Sequence, residues 1–357
     1  MVIDTEWDDV TFRTDLDAAL GSFLDFQAAR LVPLGPDADR LLAEARIAVA
    51  GGKKIRAAFC HWGFHAVEPS PADPVALLRA CASLELLHAS ALAHDDLMDA
   101  SDTRRGRPAT HRAFDREHRK AGWRGEPEQY GAAAAILLGD LLQAWADELL
   151  RHCGFGWDRV GPALDIFDLC RTEVIAGQFL DVSVQARGVA DVETAMTVLR
   201  YKSAKYSIER PLHIGAALAG AGPDTLTALS SFGLPLGEAF QLRDDLLGVF
   251  GDPATTGKPA GDDLVEGKRT VLVALALDAA PPADAALLDR SLGTRLSLPE
   301  VARLREIIEA SGAHAQVEAV IGELSRIAVD ALDQADVDPG AREVLRGLAA
   351  AATQRVF

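Results

Sequence analysis

Apolar residues recur with the 3.6-residue period of an α-helix along almost the whole chain, and the alternating pattern of β-strands is almost absent. The prolines fall mainly between the helical segments, as at 68–74 and 278–285, which we interpret as loops. No repeat or linker divides the chain, so we expect one all-helical domain over residues 1–357. The predicted helices span 14–30, 37–50, 53–66, 74–101, 131–152, 158–186, 191–219, 222–250, 270–279, 298–311, 313–333 and 340–354.

The composition supports helices and restricts the ligands. Apolar residues make up 49% of the chain but aromatic residues only 6%, so the core consists mainly of small and aliphatic side chains that favour helices. The net charge of −17 disfavours nucleic acid and anionic membrane surfaces, because binding to either depends on neutralising phosphates. Small anionic substrates remain compatible, since salt screens charges beyond about 8 Å and local groups decide their binding.

The cysteines and the N-terminal sequence predict a cytoplasmic protein. Cys60, Cys81, Cys153 and Cys170 are scattered without metal-binding spacing, which is typical of reduced, buried cysteines. The first ten residues are acidic and lack the features of a signal peptide. The longest apolar run that we identify, 132–142, is interrupted by Asp140 and is shorter than the roughly 20 residues of a membrane span. We therefore expect no transmembrane segment.

A first acidic cluster ends a predicted helix that is otherwise nearly uncharged. Asp95 and Asp99 are four residues apart, so they share one face of a helix about 5.4 Å apart along its axis, with Asp96 beside them. Oxygen ligands at this spacing suit Mg²⁺, which proteins commonly share with substrate phosphates. Arg104 and Arg105 follow closely, which is expected if a metal-bound phosphate lies between acids and arginines. A solvated helix end is the alternative for this cluster alone.

A second acidic pair, Asp244 and Asp245, also ends a largely apolar helix. A glycine-rich loop follows, with Lys258 and Lys268, and such a loop can close over a ligand and exclude water. An ordinary surface loop is the alternative. Two acidic helix ends can together hold Mg²⁺ ions that neutralise a diphosphate and make it a better leaving group. The basic clusters at 51–56 and 201–205 can hold further phosphate.

Six elements in order resemble the trans-isoprenyl diphosphate synthases (polyprenyl synthetase family), over roughly residues 37–355. They are GGKKIR (51–56), the first acidic region (85–106), GQFLD (177–181), YKS (201–203), the second acidic region beginning at Phe240, and its lid ending in GKRT (267–270). The resemblance implies a bundle of antiparallel helices around a deep central cavity, usually a homodimer. It also implies condensation of isopentenyl diphosphate with an allylic diphosphate, without a side-chain nucleophile.

The resemblance also assigns roles by position. It makes Asp95, Asp99 and Asp244 the main ligands of a cluster of three Mg²⁺ ions, with Asp96 and Asp245 supporting them. The allylic diphosphate would contact Arg104, Lys202, Gln241 and Lys258, and Ser203 and Lys268 would be further substrate-binding residues. Isopentenyl diphosphate would bind Lys53, Arg56, His88 and Arg105. Gln178 and Asp181 would line the site or bond neighbouring helices, and we interpret His94 and His111 as packed side chains rather than ligands.

The chain departs from the family pattern at a few positions. Gly248 replaces the third aspartate of the second acidic region, which weakens water-mediated support of the metals. Ser203 stands where threonine is usual, and Lys54 and Ala57 replace arginine and proline. None of these changes removes a group that the reaction requires. A class I terpene cyclase and a non-catalytic partner subunit are the alternatives, distinguished by consumption of isopentenyl diphosphate and by activity of the purified chain.

Product length follows from side chains that precede Asp95 by successive helical turns. Ser90 and Ala91 lie at the first step, where a bulky aromatic residue in this family stops growth at fifteen carbons. Leu87 lies at the next step, followed by Ser83 and Leu84, and Phe167 and Cys170 belong to the expected facing helix. Because the first step is small, we expect C20 geranylgeranyl diphosphate, with longer (C25 or above) or C15 products as the alternatives.

Overall fold

The computed structural model describes residues 9–188, 191–251 and 261–353. Within these ranges the chain is helical except for loops and one hairpin of two short strands, so the all-helical prediction is confirmed. The backbone forms two compact units. The first comprises the chain up to Leu164 together with Gly215–Gly220, and the second comprises Asp165–Ile214 and the chain from Ala221 onward.

The first unit is built around one long apolar helix. Its elements are α1 (Asp9–Leu31), a 3₁₀ turn (Val32–Leu34), α2 (Pro36–Val49), α3 (Ile55–His65), α4 (Pro74–Met98), β1 (Thr103–Arg104), β2 (Arg107–Pro108), α5 (Thr110–Ala121) and α6 (Pro127–Arg151). Helix α4 packs against α6, α1 and α3, and its side chains are buried on several faces. This packing explains why the segment lacks the one-sided pattern of a surface helix.

Helix α4 is also long and apolar enough to cross a membrane, judged by length and composition alone. Two thirds (67%) of the apolar stretch of α4 is buried inside the protein, as in a core helix. The four cysteines are buried and form no disulfide, as predicted.

The second unit contains most of α7 (Trp157–Arg187), which begins in the first unit. Helix α10 (Pro223–Phe250) packs against a π-helical segment (Arg200–Glu209) and α15 (Ala313–Gln334), and the core of this unit includes Leu242, Leu246, Leu272 and Ile308. The further elements are α8 (Val192–Leu199), the π-helical segment (Arg200–Glu209), α9 (Arg210–Leu218), α10 (Pro223–Phe250), α11 (Asp262–Glu266), α12 (Val271–Ala279), α13 (Pro282–Ser291), α14 (Leu298–Ala310), α15 (Ala313–Gln334) and α16 (Pro339–Thr353).

Three helices were missed by the sequence analysis: α5, the five-residue α11 and α13. The buried face of α5 carries His111, Asp115 and His118 beside Phe114, so its apolar period is weak. Helix α13 begins with Pro282, inside the proline-rich stretch that we interpreted as a loop. Proline is well tolerated in the first turn of a helix, where its missing N–H leaves no hydrogen bond unmade. The interpretation of 278–285 as a loop is therefore wrong from Pro282 onward.

Candidate active site

The first acidic region forms the C-terminal end of α4. The N–H of Asp99 donates to the carbonyl oxygen of Asp95 at 2.8 Å, so one helical turn separates the two residues, as their spacing predicts. Both side chains are half-buried, whereas Asp96 between them is only 3% exposed. The two carboxylates expected to bind metal are therefore the accessible ones.

Asp96 binds Arg104. The Nε of Arg104 donates to both carboxylate oxygens of Asp96, at 2.9 and 3.1 Å, and its Nη2 also bonds Oδ1. The same Nη2 lies 3.8 Å from Oδ2 of Asp95. A guanidinium held on two sides loses little further freedom when it binds an anion. In this structure Asp96 orients Arg104, which is a more specific role than the general support that we expected.

A tight hairpin places the two arginines. Strands β1 and β2 pair Arg104 with Arg107, and the connecting residues Arg105 and Gly106 both have positive φ, as a type I′ turn requires. Arg105 adopts this conformation (φ +51°) at a steric cost that glycine does not have. Its guanidinium donates from Nη1 to the carbonyl oxygen of Ala50 at 2.7 Å, whereas Arg104 binds Asp96. One hairpin thus brings Arg104 to the acidic turn of α4 and Arg105 to the basic loop at 51–56.

The basic loop at 51–56 fits closely against Arg105. A Cβ on Gly52 would lie 2.8 Å from Nη2 of Arg105, so the guanidinium would have to shift, and the positive φ of Gly52 (+81°) also favours glycine. Lys53 is exposed and Arg56 is half-buried in the first turn of α3. Lys54 is buried instead: its ammonium donates to the carbonyl oxygen of Val49 at 2.7 Å and pairs with Asp17 and Glu85. The lysine that replaces the family's arginine therefore stabilises the loop from inside.

His88 lies on α4 and is half-buried. Burial lowers its pKa well below the ordinary value, and the positive charges of Arg56 and Arg105 act in the same direction. The imidazole is therefore neutral at pH 7 and keeps one N–H donor and one acceptor. Lys53, Arg56, His88 and Arg105 all belong to the first unit, and the last three are close enough to interact electrostatically.

In the second unit, Lys202 of the π-helical segment pairs with Asp181 of α7. The ammonium donates to Oδ2 of Asp181 at 2.6 Å, and the aspartate is 7% exposed. Gly177, in the same GQFLD motif, lies directly against the backbone of the π-helical segment. A Cβ at this position would collide with the backbone of Tyr201 and Lys202. Gln178, which follows Gly177, and Ser203, which follows Lys202, are both half-buried.

The second acidic region lies in the last turns of α10. Asp244 is exposed, whereas Asp245 is buried and accepts a hydrogen bond at 2.8 Å from the side-chain amide of Gln241. Burial raises the pKa of Asp245 to about 8, and the nearby carboxylate of Asp263 contributes to the rise. The carboxylate of Asp244 also raises this pKa, whereas the ammonium of Lys268 lowers it.

Gly248 and Asp263 fit together. A Cβ at position 248 would collide with the carboxylate of Asp263, which enters from α11. Lys268 lies 3.2 Å from Oδ1 of Asp263 and 2.5 Å from Oε2 of Glu266. Asp263, which the sequence analysis did not select, thus brings a carboxylate to the position of the missing third aspartate. Its signal was the acidic pair at 262–263 after the glycine-rich loop.

The remaining predicted residues have simpler positions. Lys258 lies outside the described residues. His94 contacts α6 through Nε2, at 3.1 Å from the carbonyl oxygen of Ile136, and a Cβ on Gly139 would collide with its ring. His94 is therefore a packed side chain, and His111 lies on the buried face of α5, as interpreted from the sequence.

Comparison with known proteins identifies the family of the chain. The polyprenyl synthetase family matches residues 39–310, well over half of the chain. The chain is a member of the polyprenyl synthetase family. It is accordingly a prenyltransferase of the trans-prenyl diphosphate synthase type, and isopentenyl and allylic diphosphates are its substrates.

Individual relatives of this prenyl synthase resemble it over most of their length. A short chain isoprenyl diphosphate synthase from Methanothermobacter thermautotrophicus is 34% identical over 87% of this chain and 88% of its own. A geranylfarnesyl diphosphate synthase from Natronomonas pharaonis is 35% identical over 67% of this chain and 70% of its own. A geranylgeranyl pyrophosphate synthase from Corynebacterium glutamicum has been solved in complex with isoprenyl diphosphate and magnesium. It is 41% identical in sequence, its structure matches with a TM-score of 0.95, and the match covers 98% of this chain and 100% of that one.

Prenyl diphosphate synthases generally depend on Mg²⁺, and the donor chemistry of this synthase fits that ion. The accessible Asp95 and Asp99 offer only hard oxygen ligands one helical turn apart. Among the described residues, no group of three or more His, Cys, Asp or Glu side chains already forms a metal site.

Proposed function

We propose that this prenyl synthase joins isopentenyl diphosphate head to tail (1′–4) to an allylic diphosphate and that its main product is C20 geranylgeranyl diphosphate. The observation that supports two adjacent diphosphate subsites is the type I′ hairpin. It holds Arg104 at the acidic turn of α4 and Arg105 at the basic loop, so one diphosphate can bind on each side of the hairpin.

The residues divide between the two diphosphates. Asp95, Asp99 and Asp244 would hold three Mg²⁺ ions, which neutralise the allylic diphosphate as a leaving group. Arg104, Lys202 and Gln241 would orient that diphosphate, with Ser203, Lys258 and Lys268 as further contacts. Lys53, Arg56, His88 and Arg105 would bind isopentenyl diphosphate without metal. His88, being neutral, donates a hydrogen bond there without adding charge.

The reaction balances without a nucleophile from the protein. The allylic C1–O bond breaks and its electron pair leaves with diphosphate. The double-bond electrons of isopentenyl diphosphate then form the new bond between its C4 and the allylic C1. A proton is lost from C2 of the isopentenyl unit to the released diphosphate. The side chains contribute orientation and fixed charge, which lower the barrier most where charge develops.

The exposure of residues along α4 supports a C20 product. Ala91 is half-buried, Ser90 and Leu87 are 2% and 4% exposed, and Ser83 and Leu84 are fully buried, as are Phe167 and Cys170. Ala91 is small and partly accessible, whereas Leu84 is enclosed by protein. A chain that grows along this helix would therefore pass the first step and stop near Leu87.

We also propose that the synthase is a homodimer. On α7 the side chains of Ile175, Phe179 and Val182 are 55%, 73% and 38% exposed and share one helix face. In the first unit, Ile136 and Leu137 of α6 are 47% and 61% exposed. Apolar surface of this kind is typical of contacts between subunits. Light scattering of the wild type and of Phe179→Glu tests this, since a dimer should dissociate or weaken in the variant.

The test of function is incubation of the purified chain with Mg²⁺, labelled isopentenyl diphosphate and each allylic starter of five, ten or fifteen carbons. Geranylgeranyl diphosphate should dominate the products. Products of C15, or of C25 and above, would favour the alternative chain lengths. A cyclic hydrocarbon formed without consumption of isopentenyl diphosphate would indicate a terpene cyclase instead. A cytoplasmic location, proposed from the reduced cysteines, is tested by cell fractionation.

A further inference from the structure

The segment that carries Lys202 has an unusual backbone. Arg200–Glu209 forms a π-helix between α8 and α9. A π-helix has i→i+5 hydrogen bonds, is rare, and seldom extends beyond one turn unless surrounding contacts hold it. Ten residues in this geometry therefore need support from neighbouring helices, and the structure shows what supplies it.

Two glycines bring helix backbones onto this segment. At Gly177 of α7 a Cβ would lie 2.6 Å from the carbonyl carbon of Tyr201, and at Gly237 of α10 a Cβ would meet the carbonyl group of Ala204. Backbone contacts this close are possible only without side chains. Displacement of the π-helical segment is therefore restricted at Tyr201 and again at Ala204.

Ion pairs fix the segment on both sides of the Gly177 contact. Glu173, Gly177 and Asp181 are spaced by four residues, so they share one face of α7. Asp181 binds Lys202, one turn beyond Gly177, and Glu173 lies one turn before it. Glu173 accepts hydrogen bonds from Nζ of Lys205 at 2.6 Å and from Nε and Nη2 of Arg210 at 2.7 and 2.9 Å.

This Glu173 cluster is largely enclosed by protein. The side chains of Glu173, Lys205 and Arg210 are 11%, 15% and 12% exposed. Burial alone would favour protonation of Glu173, but the hydrogen bonds from Arg210 and Lys205 outweigh it and lower the pKa of the carboxyl group. Two mostly buried cations thus share one carboxylate, and removing it would leave both without that partner.

Arg210 is also tied to α10 through a chain of hydrogen bonds. Its Nη1 lies 3.3 Å from Nδ1 of His213, and Nε2 of His213 lies 3.0 Å from Oγ of Ser230. Burial lowers the pKa of His213 to about 4, so the ring is neutral. Arginine only donates, so Nδ1 must accept and Nε2 must carry the proton. Ser230 then donates to Oε1 of Glu209 at 2.8 Å.

We propose that Glu173 is a positioning residue for prenyl transfer: by binding Lys205 and Arg210 it holds the π-helical segment in the register that presents Lys202 beside Asp181. The inference rests on the proposed role of Lys202 as a ligand of the allylic diphosphate. Without the carboxylate, the segment would relax toward an α-helix. Because each residue of an α-helix turns by about 100°, a shift of one residue would turn Lys202 away from its position.

The first test is Glu173→Gln, which preserves size but removes the charge. Affinity for a non-reactive allylic diphosphate analogue should fall about tenfold or more, since a misplaced contact costs binding and orientation. The KM for isopentenyl diphosphate should change little, and Glu173→Asp should recover part of the loss. The matched control is Glu148→Gln, whose carboxylate also joins two helices through Gln27 and Arg30, and it should leave the analogue affinity unchanged.

The second test is the double variant with Lys202→Ala. If Glu173 acts through Lys202, the effect of Glu173→Gln on analogue affinity should vanish in the Lys202→Ala background. An equal effect in both backgrounds, or a loss of thermal stability with unchanged analogue affinity, would overturn the positioning role. If Lys202→Ala alone leaves the affinity unchanged, the proposed function of Lys202 fails, and the inference fails with it. Should Glu173→Gln not fold, the same cycle is measured with Glu173→Asp.

Discussion

The carboxylate of Asp263 occupies the space that a side chain at Gly248 would fill. The loss of the third aspartate from the second acidic region is thus accompanied by a carboxylate that reaches the same place from α11. Asp263 is 8% exposed and lies near enough to Asp245 to raise the pKa of that carboxyl group. Asp245 therefore has two acidic neighbours at the end of α10, Asp244 from the motif and Asp263 from α11.

Restoring a side chain at position 248 should destabilise the protein. Gly248→Ala places a methyl group against the Asp263 carboxylate and should lower the free energy of unfolding by about 1–3 kcal/mol, as overpacking does. The control is Gly322→Ala in α15, where a Cβ has open space and should stabilise by about 0.5–1 kcal/mol. Urea denaturation measures both. A Gly248→Ala protein as stable as wild type would contradict the close fit.

The raised pKa of Asp245 predicts a pH dependence of the metal-free protein. Its folded pKa of about 8 exceeds the ordinary value of 3.8, so the folded state binds more protons between these limits. The contribution of Asp245 to stability is then full below pH 4 and is lost as pH rises through 8. Relative to Asp245→Asn, wild type should lose about 1.4 kcal/mol per pH unit within this window. Parallel pH profiles of the two unfolding free energies would refute this.

Asp95→Ala should cost several kcal/mol of transition-state stabilisation, which is about a thousandfold in kcat/KM, because a metal ligand at the leaving group is lost. Asp336→Ala, which removes an exposed carboxylate from a loop, is the control and should retain activity. Steady-state kinetics at saturating Mg²⁺ measures the difference. Near-normal turnover of Asp95→Ala would mean that the metals bind elsewhere.

Ala91→Phe should shorten the product from C20 toward C15, because the aromatic ring would block the first step beyond Asp95 along α4. Val75→Phe places the same ring on the same helix at an exposed position and should leave the product length unchanged. Chromatography of the dephosphorylated products separates the chain lengths. If both variants make the wild-type product, growth does not follow this face of α4.

The sequence by itself determined the helical class and the residue types of the site. Helices follow from local periodicity, and the i,i+4 spacing of Asp95 and Asp99 sets their common face, because both depend on residues within one or two turns. The family motifs identified the diphosphate chemistry for the same reason, since each motif is continuous in sequence.

The tertiary structure decided which side chains bind one another. The pairing of Arg104 with Asp96 depends on a type I′ turn in which the next residue, Arg105, takes a left-handed conformation. No periodic pattern in the sequence indicates this turn. Asp263 reaches Gly248, and Glu173 binds Lys205 and Arg210, across distances in sequence of 15 to 37 residues. Such contacts arise from the close approach of backbones and from a π-helical register. Both depend on how helices pack, and the local sequence does not encode that packing.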